Sequence, residues 1–405
     1  MNETSRASVA TILLLAFLVS PGPARGAAEG PAASTAPEST APKEERIQVT
    51  ASAGKGVTVS GGGGNFLVNF SAYVQPFYHF TAVDGADHNS SNFRILRGRV
   101  EMKGHAFRPW LEYRFLYETA GTAGLRDFYL DVGRYRWSSL RVGQFKVPFS
   151  LQAITSDPRL QFANREFTHE ANSPDRDQGV DLHGQSARGF FGYDAGVFNG
   201  NGINKTESSK PNTDHLAVVR LHLDPRGEYP LVETLPNPPE HLLWTVGLGG
   251  VATKVPATAP LPRFDRQTAN LYAGVKVGRF SWTGEWFRRW DHTTDAALSP
   301  DIQSRSYYVQ SGFYVIAGRL EVAARVAAVD PDSASPQDDN RVVRAGLNLY
   351  FSGHEHKLQL DAGRVYYGRN NPDLLQSISS GQRKLTARVD DATDTDIRLL
   401  YQVIF

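Results

Sequence analysis

The sequence predicts an all-β protein, a transmembrane antiparallel β-barrel of about 16 strands. Three observations predict this fold. A targeting segment precedes the patterned part of the chain, apolar and polar residues then alternate in successive runs, and the gaps between runs alternate between long and short. Each feature alone occurs in other proteins, but together they are typical of a barrel in a bacterial outer membrane.

The composition excludes several other classes. The 405 residues include no cysteine, which excludes disulfide scaffolds, thiol nucleophiles and cysteine-ligated zinc. The formal net charge of +1 lacks the basic excess of a nucleic-acid-binding protein. No apolar run approaches the roughly 20 residues that a membrane-spanning helix needs, whereas barrel strands are only half apolar. We therefore expect no nucleic-acid partner and no cofactor.

Residues 1–26 are predicted to be a secretory signal peptide. Arg6 precedes an apolar run from Val9 to Val19, and Ser20-Pro21-Gly22-Pro23 ends that run. The run is too short to span a bilayer, and the segment 24–26 supplies small residues at the positions that a signal peptidase reads, so cleavage is expected before Ala27. In a bacterium the mature chain would start in the periplasm.

Residues 27–64 are predicted to be a flexible periplasmic linker, and residues 65–405 the barrel. The linker is rich in Ala, Pro, Ser, Thr and Gly and shows no alternation. From Asn65 the apolar period changes to two. In the second run, Leu96, Val100 and Met102 share one face, and the charged residues at 97, 99, 101 and 103 occupy the other. Runs of this kind recur to Phe405 and reach the ~9–11 residues of a tilted membrane strand.

The lengths of the gaps between strands are a second signal. Long gaps such as Ser150–Gln178 alternate with short ones such as Arg136–Trp137. An outer-membrane barrel has long extracellular loops and short periplasmic turns, which this alternation reproduces. One exception is the Pro-rich segment Asp224–His241, which stands where a short turn is expected.

Aromatic residues indicate a lipid-facing exterior. Pairs such as Tyr307-Tyr308 and Tyr366-Tyr367 lie near strand ends, as in the aromatic girdles of membrane barrels. Phe405 ends an alternating apolar strand and resembles the C-terminal signal that such barrels present to the barrel-assembly machinery. We therefore expect contact with outer-membrane lipid and recognition by that machinery.

Three blocks of sequence are similar to the phosphate-selective porin O and P family, and their order and spacing match it: Leu140–Ser150, Asp175–Gly184 and Tyr193–Gly202. The Arg-rich second strand, Arg94–Arg99, also matches. This resemblance implies a homotrimeric sixteen-stranded porin whose long third loop folds into the lumen. It also implies that arginines and a central lysine attract phosphate, polyphosphate or other small anions. The first strand departs from the family, because Pro76 stands where an acidic residue commonly follows the glutamine.

The basic side chains predicted to line the pore lie opposite the apolar face of their strands, or in and beside the long insertion. They are Arg97, Arg99, Lys103, Arg114, Arg141, Lys146, Arg159, Arg165 and Arg176. Basic side chains in a water-filled constriction select anions, and guanidinium groups match phosphate oxygens in pairs. The set predicts passive uptake of small anions along a ladder of weak sites.

Alternatives to this function remain open at the level of sequence. The carboxylates Glu101, Glu112, Asp127 and Asp131 are placed to neutralise the same arginines, which would give a non-selective general porin. An outer-membrane barrel hydrolase would use Ser186 or Ser150 with His183. A soluble carbohydrate-binding β-sandwich is a third class. The sequence has no G-x-S-x-G motif, so we predict a protein that is not an enzyme.

Two short motifs contain side chains of the kinds that bind metal ions. His354-Glu355-His356 has a spacing that can pair two imidazoles, and Asp175-Arg176-Asp177 places two carboxylates around an arginine. The first lies in a predicted turn without further ligands, and the second is the usual arrangement for satisfying the arginine. We therefore predict no metal site.

Overall fold

The computed structural model describes residues 47–82, 89–205, 215–255, 263–293, 301–368 and 393–405. The predicted signal peptide and residues 27–46 of the predicted linker lie outside these ranges. So do parts of several predicted loops.

In the described residues, sixteen antiparallel strands, β3–β18, pair in chain order, and β18 pairs with β3 to close the barrel. Their bounds are Phe66–Ala82, Ser90–His105, Leu111–Glu118, Gly124–Tyr135, Ser138–Lys146, Arg176–Gln185, Phe191–Phe198, Leu216–Leu223, Leu243–Val255, Phe264–Val277, Phe280–Thr293, Ile302–Ile316, Leu320–Asp330, Asn340–Ser352, His356–Tyr366 and Thr393–Ile404. The predicted all-β antiparallel barrel is confirmed.

The barrel wall is apolar outside and polar inside. On β16, Leu347 and Leu349 are exposed, whereas Arg344 and Asn348 are buried. Successive side chains of a strand point to opposite faces, so this alternation gives a lipid-compatible exterior around a polar interior. No helix among the described residues is long and apolar enough to cross a membrane.

The prediction of a flexible linker up to residue 64 is wrong for its last part. Strands β1 (Gln48–Ser52) and β2 (Gly56–Gly61) form a hairpin, and β2 also pairs with the first residues of β3. Gly54 and Gly56 have positive φ and make the tight turn. The glycine-rich composition concealed the short alternation of Val57 and Val59 with polar residues.

The register of β3 and β4 shifts at Pro76. The pairing of Gln75 with Arg97 is followed by that of Pro76 with Ile95, so Leu96 is the extra residue of a bulge. Proline has no N–H for the ladder, and a bulge is one of the few places where a sheet tolerates it. Leu96 therefore packs beside the buried Phe77 instead of sharing the outer face of Val100.

The connections at the two ends of the barrel differ as the gap pattern predicts. The turn end carries the short connections, such as 136–137, 278–279 and 353–355, and the loop end carries the long ones. The exception is confirmed in the structure: residues 224–242 connect β10 and β11 at the turn end. This segment is called the inner turn below, and residues 147–175, between β7 and β8, are called the third loop.

Candidate functional site

The third loop crosses the interior of the barrel. It contains helix α1 (Leu151–Ile154), a 3₁₀ turn (Asp157–Arg159) and helix α2 (Phe167–Asn172). Phe149 packs against Phe287, and Phe167 against Tyr308. The inward-folded third loop implied by the family resemblance is thus present.

Buried polar contacts fix the third loop to the wall of β15–β17. The Gln161 amide donates to Glu321 at 2.6 Å, and the Ala163 N–H donates to Asp361 at 3.2 Å. Arg325 donates to the carbonyl of Asn164 at 3.1 Å. Because these groups are buried, breaking any one contact leaves an unsatisfied partner, which favours a single position of the loop.

The inner turn enters the lumen from the opposite end and meets the third loop. Glu233 accepts from the Gln161 N–H at 2.6 Å and from the Gln152 amide at 2.8 Å. Lys276 on β12 lies 3.3 Å from the centre of the Tyr229 ring and donates to the Pro230 carbonyl at 3.1 Å. Third loop and inner turn together fill the side of the interior facing β12–β17.

Among the described residues, two open cavities lie against β3–β5. The cavity at the loop end has a volume of about 1340 Å³, and the cavity at the turn end about 640 Å³. We call them the loop-end vestibule and the turn-end vestibule. Tyr73, Arg99 and Asp157 line both. The vestibules therefore adjoin one another at the third loop, where a constriction is expected.

Three of the predicted arginines converge on one carboxylate there. Arg99 contacts Asp157 Oδ2 at 2.5 Å, Arg97 lies 3.5 Å from Oδ1, and Arg165 also bonds Oδ1. Arg99 additionally pairs with Glu118 at 2.7 Å. The two strand arginines come from β4, whereas Asp157 and Arg165 come from the third loop.

A second group of predicted residues lies at the turn-end vestibule. Arg114 and Arg176 meet at Asp127, at 3.2 and 2.5 Å. Arg114 and Lys103 share Glu101, at 2.6 and 2.9 Å. These ion pairs neutralise part of the basic charge, as the general-porin alternative expects.

The remaining predicted residues differ in their surroundings. Lys146 lines the turn-end vestibule and donates to the Thr155 carbonyl at 2.7 Å, and no carboxylate of the described residues lies within ion-pair distance of it. Arg159 lines the same vestibule and pairs with Glu355 at 3.0 Å. Arg141 pairs with Asp131 at 2.7 Å and is outside the lining of both vestibules.

Sequence reasoning missed several lining residues. Arg94 and Arg126 line the loop-end vestibule, and Lys55, at the tip of the hairpin, lines the turn-end one. Strict alternation placed Arg94 on the outer face, because the bulge beside Pro76 was not anticipated. Lys55 was assigned to the linker. A proline inside an alternating run is the signal that indicates the bulge.

The charge of the two vestibules is unequal. Among the described residues that line the turn-end vestibule, seven are basic and three acidic: Lys55, Arg99, Lys103, Arg114, Lys146, Arg159 and Arg176 against Glu101, Asp157 and Glu355. The loop-end vestibule has five arginines against four carboxylates. Positive charge is therefore concentrated at the turn end.

The third-loop groups keep fixed charges near neutral pH. Burial raises the pKa of Asp157, but Arg165, Arg97 and Arg99 outweigh burial and hold that pKa well below its usual range. Burial and then Arg165 lower the pKa of His169 to about 3. Burial also acts to raise the pKa of Asp175, which neighbouring arginines nevertheless lower to about 2. Both carboxyls are thus ionised, and the imidazole is neutral.

Ser150, Ser186 and His183, the candidate residues of a hydrolase, have other hydrogen-bond partners. Ser150 Oγ accepts from the Ala153 N–H at 3.2 Å and caps α1, and Ser186 Oγ accepts from the Phe191 N–H at 3.1 Å. His183 contacts Asp131 at 3.0 Å. No contact in the described part of the chain joins either serine to a histidine, so these residues form no nucleophile–base pair.

In each of the two candidate metal motifs, the side chains contact different partners and do not meet at one point. His354 is buried against the Thr234 carbonyl at 2.9 Å, whereas His356 contacts the Tyr401 hydroxyl on another side of the wall. Asp175 pairs with Arg176, but Asp177 accepts from the Gly200 N–H at 2.6 Å. Carboxylates of Asp330, Asp338 and Asp339 do lie close together outside the vestibules.

Comparisons with known proteins agree with this geometry. Residues 68–230 match the model of the family described as phosphate-selective porin O and P. An uncharacterised protein of Aquifex aeolicus is 24% identical over 292 residues, which are 64% of this chain and 63% of that protein. The chain thus spans under two thirds of the length of this relative.

Among solved structures, the anion-selective porin of Comamonas acidovorans matches with a TM-score of 0.61 at 14% identity, over 84% of this chain and 99% of that one. The outer-membrane channel DcaP of Acinetobacter baumannii matches with a TM-score of 0.56 at 10% identity, over 84% and 97%. At such identities these likenesses show the fold alone.

Fold and family model agree on the class of protein. The barrel is of the kind found in those outer-membrane proteins, and the matched segment contains β4, the third loop and most of the cationic lining. The matched family model is one of porins, and the similar solved structures include an anion-selective porin and an outer-membrane channel. The resemblance seen in three sequence blocks is confirmed: this chain is a sixteen-stranded porin-type barrel whose residues 68–230 match the phosphate-selective porin O and P family.

Proposed function

We propose that this protein is an outer-membrane porin for the passive uptake of small anions, including phosphate and polyphosphate. The observation that carries the proposal is the turn-end vestibule, with seven basic and three acidic side chains among its described lining residues. An excess of one sign of charge in a cavity between low-dielectric walls concentrates counter-ions. Anions would therefore be enriched on the inner side of the constriction.

The route of the anion follows the open side of the barrel. It would pass Arg94 and Arg126 in the loop-end vestibule, then Arg97, Arg99 and Arg165. At the turn end it would meet the lysines and arginines already described, including Lys146, which has no carboxylate of the described residues within ion-pair distance. Several weak sites in series allow release as well as entry.

A second candidate, a general porin without anion preference, is favoured by the ion pairs. Arg114, Arg141, Arg159 and Arg176 each have a carboxylate partner in the described structure. If those pairs cancel the electrostatic potential of the vestibule, anions and cations would permeate in the ratio of their mobilities in bulk electrolyte. The excess at the turn end argues for the anion channel.

The deciding experiment is the reversal potential of the purified protein in a planar bilayer under a KCl gradient, with phosphate then titrated in. Anion preference with chloride current blocked by phosphate supports the full proposal. Anion preference without block would mean an anion porin without a phosphate site. Cation preference would contradict the argument from the vestibule.

Export, assembly and oligomerisation belong to the same proposal. We infer cleavage of residues 1–26, recognition of Phe405 by the barrel-assembly machinery and a homotrimer in the outer membrane. The exposed Phe405 side chain, with its backbone paired to Ala72, supports the second point. One similar structure is described as the trimer form of OmpT of Vibrio cholerae, with a TM-score of 0.51 at 12% identity. Cross-linking in detergent tests the trimer.

A further inference from the structure

The carboxylate of Asp157 is held as a bound anion would be. Each of its two oxygens faces guanidinium nitrogen: Oδ2 faces Arg99, and Oδ1 faces Arg97 and Arg165. The side chain is 3% exposed and lies where the two vestibules adjoin. Arginine binds carboxylates and phosphates through paired N–H groups, so this arrangement suits any anion that presents two oxygens.

This carboxylate reaches the barrel wall from a separate segment. Arg97 and Arg99 project from β4, whereas Asp157 begins the 3₁₀ turn of the third loop. The loop is held from behind, because the Gln161 N–H donates to Glu233 of the inner turn. The fold thus presents a ligand to wall arginines that line the loop-end vestibule.

We propose that Asp157 is a resident ligand of the constriction, whose carboxylate occupies an oxyanion site formed by Arg97, Arg99 and Arg165 and competes with the permeating solute. The proposal deepens the anion-channel function and rests on it. The solute class that fits is an oxyanion, a carboxylate or a phosphate, in preference to a halide. A ligand tethered beside its site acts at an effective concentration of mM or more, on the order known for linked binding groups. Free oxyanions would therefore bind weakly and leave quickly.

The test compares Asp157→Ala, which removes the carboxylate and leaves space, with Asp157→Asn, which keeps the volume. Acetate and inorganic phosphate are the probes, and chloride current through single channels is measured. In Asp157→Ala we expect both probes to block at a concentration at least about tenfold lower than in the wild type. Asp157→Asn should raise anion selectivity with a smaller change in block, because the amide still occupies the site.

Asp175→Asn is the matched control. It removes the same charge from the third loop and also lines the loop-end vestibule, but its partners are Arg126 and Arg176. We expect a modest gain in anion selectivity without a shift in the blocking concentration. An equal shift in both variants would show that charge alone is responsible and would overturn the proposal.

A second readout does not depend on conductance. Removing Asp157 deprives Arg97, Arg99 and Arg165 of a shared carboxylate, so an oxyanion that replaces it should stabilise the folded barrel. Acetate or phosphate should raise the Tm of Asp157→Ala most, that of Asp157→Asn less, and that of the wild type least. A folded Asp157→Ala barrel with wild-type block and wild-type Tm response contradicts the resident-ligand proposal. If the wild-type channel shows no anion preference, the proposed function is instead contradicted.

Discussion

The two sides of the barrel interior have the same alternating pattern and different surroundings. On β16–β18, Arg344 and Arg398 are 3% and 4% exposed and bind Asp361 and Asp396 behind the third loop. On β4 and β5, the side chains of Lys103 and Arg114 are 52% and 29% exposed and line an open vestibule. Arginine on the filled side is enclosed in buried ion pairs, whereas arginine and lysine on the open side face a cavity. The segments that enter the lumen, and not the strands, make this distinction.

Replacing residues 226–240 of the inner turn with a short Asn-Gly turn should have the largest effect. It removes Glu233 and Tyr229, which join the inner turn to the third loop and to Lys276. We expect single-channel conductance to rise several-fold, on the order expected when an interior plug leaves a water-filled barrel. Unchanged conductance in a folded variant would show that the filled side does not limit flow.

The next largest effects come from replacing one arginine on each side of the interior and comparing the two variants. Arg344→Gln on the filled side leaves the buried Asp361 and Asp396 with one partner fewer. Breaking a buried ion pair lowers the free energy of unfolding by about 3–5 kcal/mol. We expect a lower Tm with an unchanged reversal potential. Arg97→Gln on the open side should shift the reversal potential toward cation preference at a smaller cost in Tm. A shifted reversal potential in Arg344→Gln, with only a lower Tm in Arg97→Gln, would contradict this distinction between the two sides.

Lys103→Gln and Lys146→Gln test the excess charge of the turn-end vestibule. Lys103 is half exposed and shares Glu101 with Arg114, so solvent screens it strongly. We expect Lys146→Gln to reduce anion preference more than Lys103→Gln, and both effects to shrink as KCl concentration rises. Reversal potentials at two ionic strengths measure this order.

The smallest effect concerns pH. The pKa of His169, lowered to about 3, keeps its imidazole neutral at ordinary pH, with Arg165 and Asp175 as its charged neighbours. A lowered histidine pKa means that protonation is disfavoured in the folded state and occurs only in acid. His169→Asn should therefore leave the pH dependence of the reversal potential unchanged between about pH 5 and about pH 7.5. An inflection present in the wild type and lost in the variant would contradict the assignment.

The sequence predicted the barrel well because alternation and gap length are local properties that the membrane enforces on every strand. It predicted that Arg97, Arg99 and Arg165 line an anion pathway; in the structure they line the loop-end vestibule, and their contact with anions stays a prediction. It did not place Asp157 among them, because that contact joins β4 to a turn 58 residues further along the chain. Arg94 was missed for the local reason of a bulge at Pro76. The direction of a side chain is thus readable from sequence where the strand is regular, whereas partners across the lumen depend on how the third loop and the inner turn pack.

The contact between the third loop and the inner turn also bears on the order of assembly. These segments enter the lumen from opposite membrane faces and meet at Glu233, which accepts from the Gln161 N–H, 72 residues earlier in the chain. Their buried polar groups are satisfied only when both are inside, and the strands that enclose them close the sheet only when β18 joins β3. Each segment enters through its own end of the barrel, so the contact between them forms only when both lie inside the enclosing wall. We expect the insertion of these two segments to be coupled to the final strand pairing, so that a barrel lacking Glu233 closes around a loosely held third loop.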